Sequence, residues 1–254
     1  MARHLEAALG GVTLRTAAPL TAINNITETP REDASWGAPL GAEGQILLSD
    51  RRAGNLITLE FVIEELFNLA ARTQQLDLAN GWAKPGYFTR SDRPGKRIRV
   101  IPAEYAHIAS ARDFTEVFRL GLEASPCPYW EDATPTELAL TGSNTTGLIT
   151  VPGTAETVAD VTVSHTSGTL NTLTLALGDT QMSFSGLNIP ANTNLTLDHD
   201  ENGNLRIRAG NVSKYGCRSA GSDDELSALP GARAVTVTAN VTCNVTLQAR
   251  GRWK

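Results

Sequence analysis

Between Ile57 and Leu122 the hydrophobic period changes from two to about 3.6 and back to two, which restricts the chain to a sheet carrying an inserted helix. Ile57, Leu59, Phe61 and Ile63 fall on one side of an extended segment, with Thr58 and Glu60 on the other. That is the alternation of a strand buried on one face. Leu66, Leu69, Ala70, Thr73, Leu76 and Asn80 then recur every three or four residues, which predicts a helix with one mostly apolar face. Gly81 is expected to end it, because the left-handed C-terminal cap favours glycine. Alternation returns over 97–101, where Ile98 and Val100 oppose Arg97 and Arg99. It returns again over 114–122, where Phe114, Phe118, Leu120 and Leu122 share a side. The stretch ends in the aromatic, proline-broken run Cys127, Pro128, Tyr129, Trp130.

The flanking segments are less regular. Val12, Leu14 and Thr16 suggest a short edge strand or a terminal arm. Residues 21–45 are rich in Asn, Thr, Pro and Gly and read as loop with strand fragments; loops that long in a compact domain commonly serve function or a partner. Residues 45–49 form a further candidate strand. Beyond Trp130 the composition turns to Thr, Gly, Pro and Ser, which places a domain boundary there: a first domain over 1–132, a linker over 133–150 and a second domain over 151–254. From Val158 onward short alternating runs dominate, among them Leu173, Leu175 and Leu177, then Leu195, Leu197 and His199, then Leu205 and Ile207. Val235, Val237 and Ala239 and then Val241, Cys243, Val245 and Leu247 follow. Strands at about 8–12 residue spacing predict an antiparallel sandwich or barrel. The fold class is therefore mainly β.

Composition bounds the chemistry. The chain has 254 residues, 41% hydrophobic and 19% charged, enough for ordinary cores. A net charge of −5 does not provide the basic footprint of a nucleic-acid surface. Three cysteines without metal-ligand spacing, and an amino terminus lacking a continuous apolar core, point to synthesis in a reducing cytosol with no signal peptide. No apolar run is long enough for a membrane-spanning helix. There is no GxSxG, Walker or GxGxxG run, and His4, His107, His165 and His199 are scattered. The stretch from Asp198 to Gly203 begins like a calcium loop, but the twelfth position is Ala209 where a bidentate carboxylate is required, so a hairpin turn is expected. No catalytic, cofactor-binding or metal-ligating residue is assigned, and no cofactor.

Candidate contact residues come from charge and exposed aromatics. Arg90, Arg93 and Lys96 surround the Pro94-Gly95 turn, with Arg97 and Arg99 following. A solvated hairpin tip is one reading. The other is a contact that matches the acidic strand-to-helix segment, Glu60, Glu64 and Glu65, across a subunit boundary. Arg72 on the helix and Trp36 in the long amino-terminal segment complete the set, the latter because tryptophan anchors many interfaces.

In order, the chain presents a strand, a helix, a basic hairpin, a long strand, the Cys127 to Trp130 ending and a second all-β domain closing on Arg250, Gly251, Arg252 and Trp253. Leu56 to Glu64, Arg97 to Pro102, Phe114 to Leu122, Leu195 to Asp200 with Asn202, Gly203 and Asn204, and Leu229, Pro230 and Gly231 carry the pattern. This arrangement resembles the distal tail protein of long-tailed bacteriophages, of the siphovirus tail-component family. The resemblance implies an N-terminal split β-barrel with one inserted α-helix, followed by a C-terminal galectin-like antiparallel β-sandwich. It implies a structural hub of the tail tip or baseplate, not an enzyme. Six copies would form a homohexameric ring between the tail tube protein and the tail-tip protein, also called tail-associated. DNA would pass through the ring without specific binding, and receptor-binding proteins would be supported by the second domain. The place would be the virion, assembled in the host bacterial cytoplasm, with no membrane partner. A ring of this kind needs two different complementary patches on each copy, and the helix and basic hairpin are the candidates. The second domain lacks the His-Asn-Arg and Trp-Glu cluster with which galectins hold sugar. A carbohydrate-binding module for host-surface adhesion is the alternative reading, and an enzyme of unassigned type a third.

Overall fold

The structure, a computed structural model, describes residues 5–37, 46–64, 68–112, 115–124, 127–200 and 203–254; side chains are described at these positions except 31–37, 46–53, 110–112 and 115. The chain divides into two compact units, Met1–Trp130 and Glu131–Lys254.

The first unit contains β1 (Ala7–Leu9), β2 (Val12–Thr13), the single turn α1 (Leu14–Ala17), β3 (Thr21–Gly37) and β4 (Ile46–Ile63). These are followed by α2 (Leu69–Trp82), β5 (Gly86–Arg90), β6 (Lys96–Arg112) and β7 (Thr115–Ala124). All pairings are antiparallel, in the order β2-β1-β5-β6-β7-β4-β3. A lone antiparallel bridge from Leu5 to Ile23 then joins the two sides of the sheet. Among the described residues the sheet curls nearly shut without a full strand pair at the seam, which is the expected split barrel. Its interior holds the predicted strand faces: Ile57, Leu59, Phe61, Ile98, Val100, Phe118, Leu120 and Leu122 are all buried. Phe61 and Phe118 are cross-strand partners whose rings stack at 5.8 Å, the close pairing that same-face neighbours permit.

Several local expectations need correction. Residues 21–37 form one strand. Their Asn, Thr and Pro content suits it because β3 lies at the sheet edge, the place in a sheet where a proline such as Pro30 is tolerated, and the register shift at Ile23/Asn25 absorbs an extra residue. Val12 is in a strand as expected, but Leu14 and Thr16 begin a helical turn, with the Thr13 side chain accepting from the Thr16 N–H. Gly81 does not cap α2. The helix runs through it to Trp82 and ends at Ala83. Its start is set by Asn68, whose side chain accepts from the Ala71 N–H at 3.1 Å, a preferred N-cap. The expected apolar face is also displaced. Gln75, Ala79 and Trp82 are buried while Leu69 is 75% exposed. Hydrogen bonds decide this: Gln75 Oε1 accepts from the Leu20 N–H, and the Trp82 indole donates to the Val12 carbonyl at 2.7 Å. Phe114 and Leu66 lie outside the described residues.

The second unit opens within β8 (Trp130–Asp132) and continues through β9 (Thr136–Val151), β10 (Thr157–Ser164), β11 (Thr169–Leu170), β12 (Leu173–Leu177), β13 (Thr180–Phe184) and β14 (Ile189–Pro190). Then come β15 (Leu195–His199), β16 (Leu205–Ala209), β17 (Val212–Ser213), β18 (Ser227–Ala228), β19 (Gly231–Ala249) and β20 (Arg252–Trp253). β19 organises the unit. Its first half pairs with β12 and its second with β10, while β9 follows its other edge throughout, with a register shift between Thr238 and Cys243. The β9–β19 ribbon therefore feeds two layers, one ending in β12 and β13, the other in β10, β15, β16 and β17. Strands that change sheet at an irregularity form the corners of such sandwiches. A side chain on Gly147 would strike Leu140 and come close to Leu138, so the two halves of β9 face each other across the bend. One core, from Val161, Leu175, Phe184, Leu197, Val237, Val245 and their neighbours, fills the space between the layers. Residues 133–150, expected as a linker, thus hold most of a strand. β9 is an outer strand with little buried on either face, so its hydrophobic alternation is weak. β15 and β16 pair as the expected hairpin, with the Gly203 N–H donating to the Asp200 carbonyl and Gly203 at φ +81°.

Candidate assembly surfaces

The basic turn is held by an acidic centre in its own unit. Glu28, on β3, accepts from Arg90 at 2.8 Å, from Asn55 Nδ2 at 3.2 Å and from the Trp130 indole at 3.0 Å, and forms an ion pair with Arg93 at 3.4 Å. The Arg93 guanidinium also lies 4.9 Å from the Trp130 ring centre. Side-chain exposure is 15% for Glu28 and 10% for Arg90. In so dry a place a carboxylate and a guanidinium stabilise the fold only when further hydrogen bonds surround them, and here they do. Arg90 turns its other nitrogens to Asp92, and the hydrogen bond to that guanidinium holds the Asp92 carboxyl below its ordinary range. Arg97 lies over the Tyr87 ring at 3.8 Å.

The remaining expected contact residues are dispersed. Glu64 faces Arg15 at 3.7 Å, both well exposed. Arg72 forms an ion pair with Glu116. Lys96 opens β6, half-buried. Trp36 stands opposite Leu47 in the β3–β4 ladder, and its side chain lies outside the described residues, as does Glu65 altogether. Glu60, read as part of an acidic match for the basic turn across a subunit boundary, accepts within its own chain from Arg119 at 2.8 Å across the β4–β7 pair.

Two apolar features of this unit are absent from the sequence reading. One is a groove of about 560 Å³ lined by Leu9, Val12, Leu78 and Trp82 with Asp77 and Lys84. The other is on the outer part of β6, where Tyr105 is 76% and Ile108 55% exposed. β5 pairs only with 98–100 of β6. Beyond that point the Ala106 N–H is satisfied by Asn80 Oδ1 of α2 at 2.7 Å. The available signal was Tyr105 and Ile108 set beside the polar Glu104 and His107 beyond Pro102.

In the second unit His199 sits between two carboxylates, Asp160 at 3.0 Å and Glu225 at 3.4 Å. The Asp160 hydrogen bond, opposed by burial and helped by the charges of Asp160 and Glu225, raises the imidazole pKa above its ordinary value. Asp198 takes Arg206 at 2.8 Å and Arg208 at 3.4 Å on the neighbouring strand. Cys243 is buried, as its strand parity predicts, and burial pushes its thiol pKa up.

No family model matches the sequence, and no curated protein matches it. Solved structures do match in fold. The SPP1 Dit (gp 19.1) protein, described as a paradigm of the hub adsorption apparatus in phages infecting Gram-positive bacteria, superposes with a TM-score of 0.72 at 10% identity, covering 97% of this chain and 98% of that one. Chains of the phage p2 baseplate in its activated conformation match at a TM-score of 0.50. The strontium form has 6% identity over 96% of this chain and 97% of that one, the calcium form 7% over 99% and 98%. Across nearly its whole length, this chain has the fold of a phage distal tail hub protein.

Proposed function

We propose that this protein is the structural hub of a phage tail tip. Copies close into a hexameric ring between the tail tube and the tail-tip proteins, and the second unit supports receptor-binding proteins or other baseplate parts. DNA passes through the ring without specific recognition, and the protein acts as a virion component with no catalytic role. The observation that carries this reading is the end-to-end fold match to the SPP1 Dit protein, both units included. The basic turn agrees with it: Arg90 and Arg93 each form an ion pair with Glu28, which offsets their charge. Native mass spectrometry with negative-stain imaging of the purified protein tests the proposal. A six-membered ring is the expected particle. Single chains at every concentration, with no ring after addition of tail components, reject it.

A further inference from the structure

We propose that residues 217–227 are a strap that takes the place of a neighbouring strand along β13 and keeps a second copy of this chain from pairing its own β13 there. The inference concerns the second unit alone and is independent of the ring reading above.

β13 is the last strand of its layer, with β12 on its inner side. Its residues, Thr180 to Phe184, carry no charge and no proline. Met182 and Phe184 are buried, so the strand is fixed with its outer edge turned away from β12. An uncharged edge of that kind is a template for a strand of another chain. In an antiparallel strand every second residue directs its main-chain groups outward, and here those residues are Gln181 and Ser183. All four of their outward groups are taken by the strap. The Gln181 N–H donates to Asp223 Oδ2 at 2.6 Å, and its carbonyl accepts from the Asp223 N–H at 2.9 Å. The Ser183 N–H donates to Ser222 Oγ at 2.9 Å, and its carbonyl accepts from the Ser219 N–H at 2.8 Å. One residue further on, the Ser185 N–H donates to the Cys217 carbonyl at 2.9 Å. Two of these acceptors are side chains because the strap turns at Ser219–Ser222, where the Ser222 N–H donates to the Ser219 carbonyl and Gly221 has φ +83°. A chain bent in this way satisfies the edge without offering a new edge of its own. Arg218 fastens the turn, donating to the Asp224 carbonyl at 3.3 Å and to Asp224 Oδ1 at 3.1 Å. Beyond it Leu226 is buried and its carbonyl accepts from the Ala159 N–H. The strap also lays Asp223, Asp224 and Glu225 in succession beside this edge. Antiparallel pairing of β13 with itself has two-fold symmetry, which would bring both sets of carboxylates together and repel.

Amide hydrogen exchange and site-directed cross-linking of the full chain test this. In Ser222→Ala/Asp223→Ala the Gln181 and Ser183 amides lose their acceptors and should exchange faster, on the order of tenfold or more, while the β12 amides keep their parental rates. Asp223→Asn, which retains an acceptor oxygen, should restore slow exchange at Gln181. Gln181→Cys, treated with a short bis-maleimide, should join copies several-fold more in the opened background than beside the parental strap. The same treatment without Gln181→Cys gives the background from the native cysteines. Arg218→Ala loosens the strap and leaves both acceptors in place, so it should give both effects to a smaller degree and serves if the double variant does not fold. Unchanged exchange at Gln181 and Ser183 overturns the proposal, as does faster exchange with no gain in cross-linking.

Discussion

Glu28 shows how one side chain can hold several distant parts of the first unit together. It answers donors from Arg90, Asn55 and Trp130 and the charge of Arg93, which come from β5, β4, the end of the unit and the basic turn. Removing it leaves those groups in a dry place without their acceptor. Glu28→Ala should lower unfolding stability by about 3 kcal/mol, the low end of what stranding a buried charge costs, because Asp92 still serves Arg90. Urea denaturation measures this. His199 makes a pH-dependent contribution. Its folded pKa lies above the ordinary 6.5 because of Asp160 first and Glu225 second. The stabilisation is therefore complete below about pH 6.5 and is lost as pH rises through the folded value. His199→Gln should cost most stability near pH 5.5, roughly a unit below the ordinary 6.5, with the gap to the parental protein closing as pH climbs. A gap that widens with pH contradicts the assignment.

At the scale of elements, α2 separates what periodicity can and cannot settle. A helix after Ile63 was legible from the spacing of Leu69, Thr73, Leu76 and Asn80, and Asn68 starts it. Which face is buried was not legible, because Gln75 and Trp82 are held by hydrogen bonds to Leu20 and Val12, more than fifty residues earlier in the chain. Gly81 discriminates between the two readings of the helix end. It lies within the helix, outside the positive-φ residues, and a methyl group there meets nothing within 4 Å. Gly81→Ala should stabilise the single chain by about 0.5–1 kcal/mol, whereas a left-handed cap would make the same change destabilising. Gly153 is the opposite case. It has φ +113°, and a Cβ there would overlap the Arg252 backbone, where no flexible side chain can yield. Gly153→Ala should lower the melting temperature through about 1–3 kcal/mol of overpacking.

For the whole molecule, each unit carries its own core. The cluster running from Ile149 to Ala249 belongs entirely to the second unit, and β9 completes both of its layers. Residues 131–254 produced alone should melt cooperatively. The same piece shortened to start at 151 should not, because β19 would lose its β9 partner along nearly its full length. Calorimetry of the two pieces checks this. A shorter piece with an equally sharp transition would show that β9 is dispensable.

The sequence by itself determined the mainly β class, the faces of the central strands from Ile57 to Leu122, the hairpin at Asp200 to Gly203 and the inward parity of Cys243. All of these follow from alternation or turn chemistry within about ten residues, which a strand expresses wherever it is placed. Only the tertiary structure decided that residues 21–37 are a strand, that 136–151 belong to the sandwich, and that the basic turn answers Glu28. Edge strands bury little on either face, so their alternation is faint. An ion pair between residues 62 positions apart, Glu28 and Arg90, depends on which strands become neighbours, and no local pattern records that.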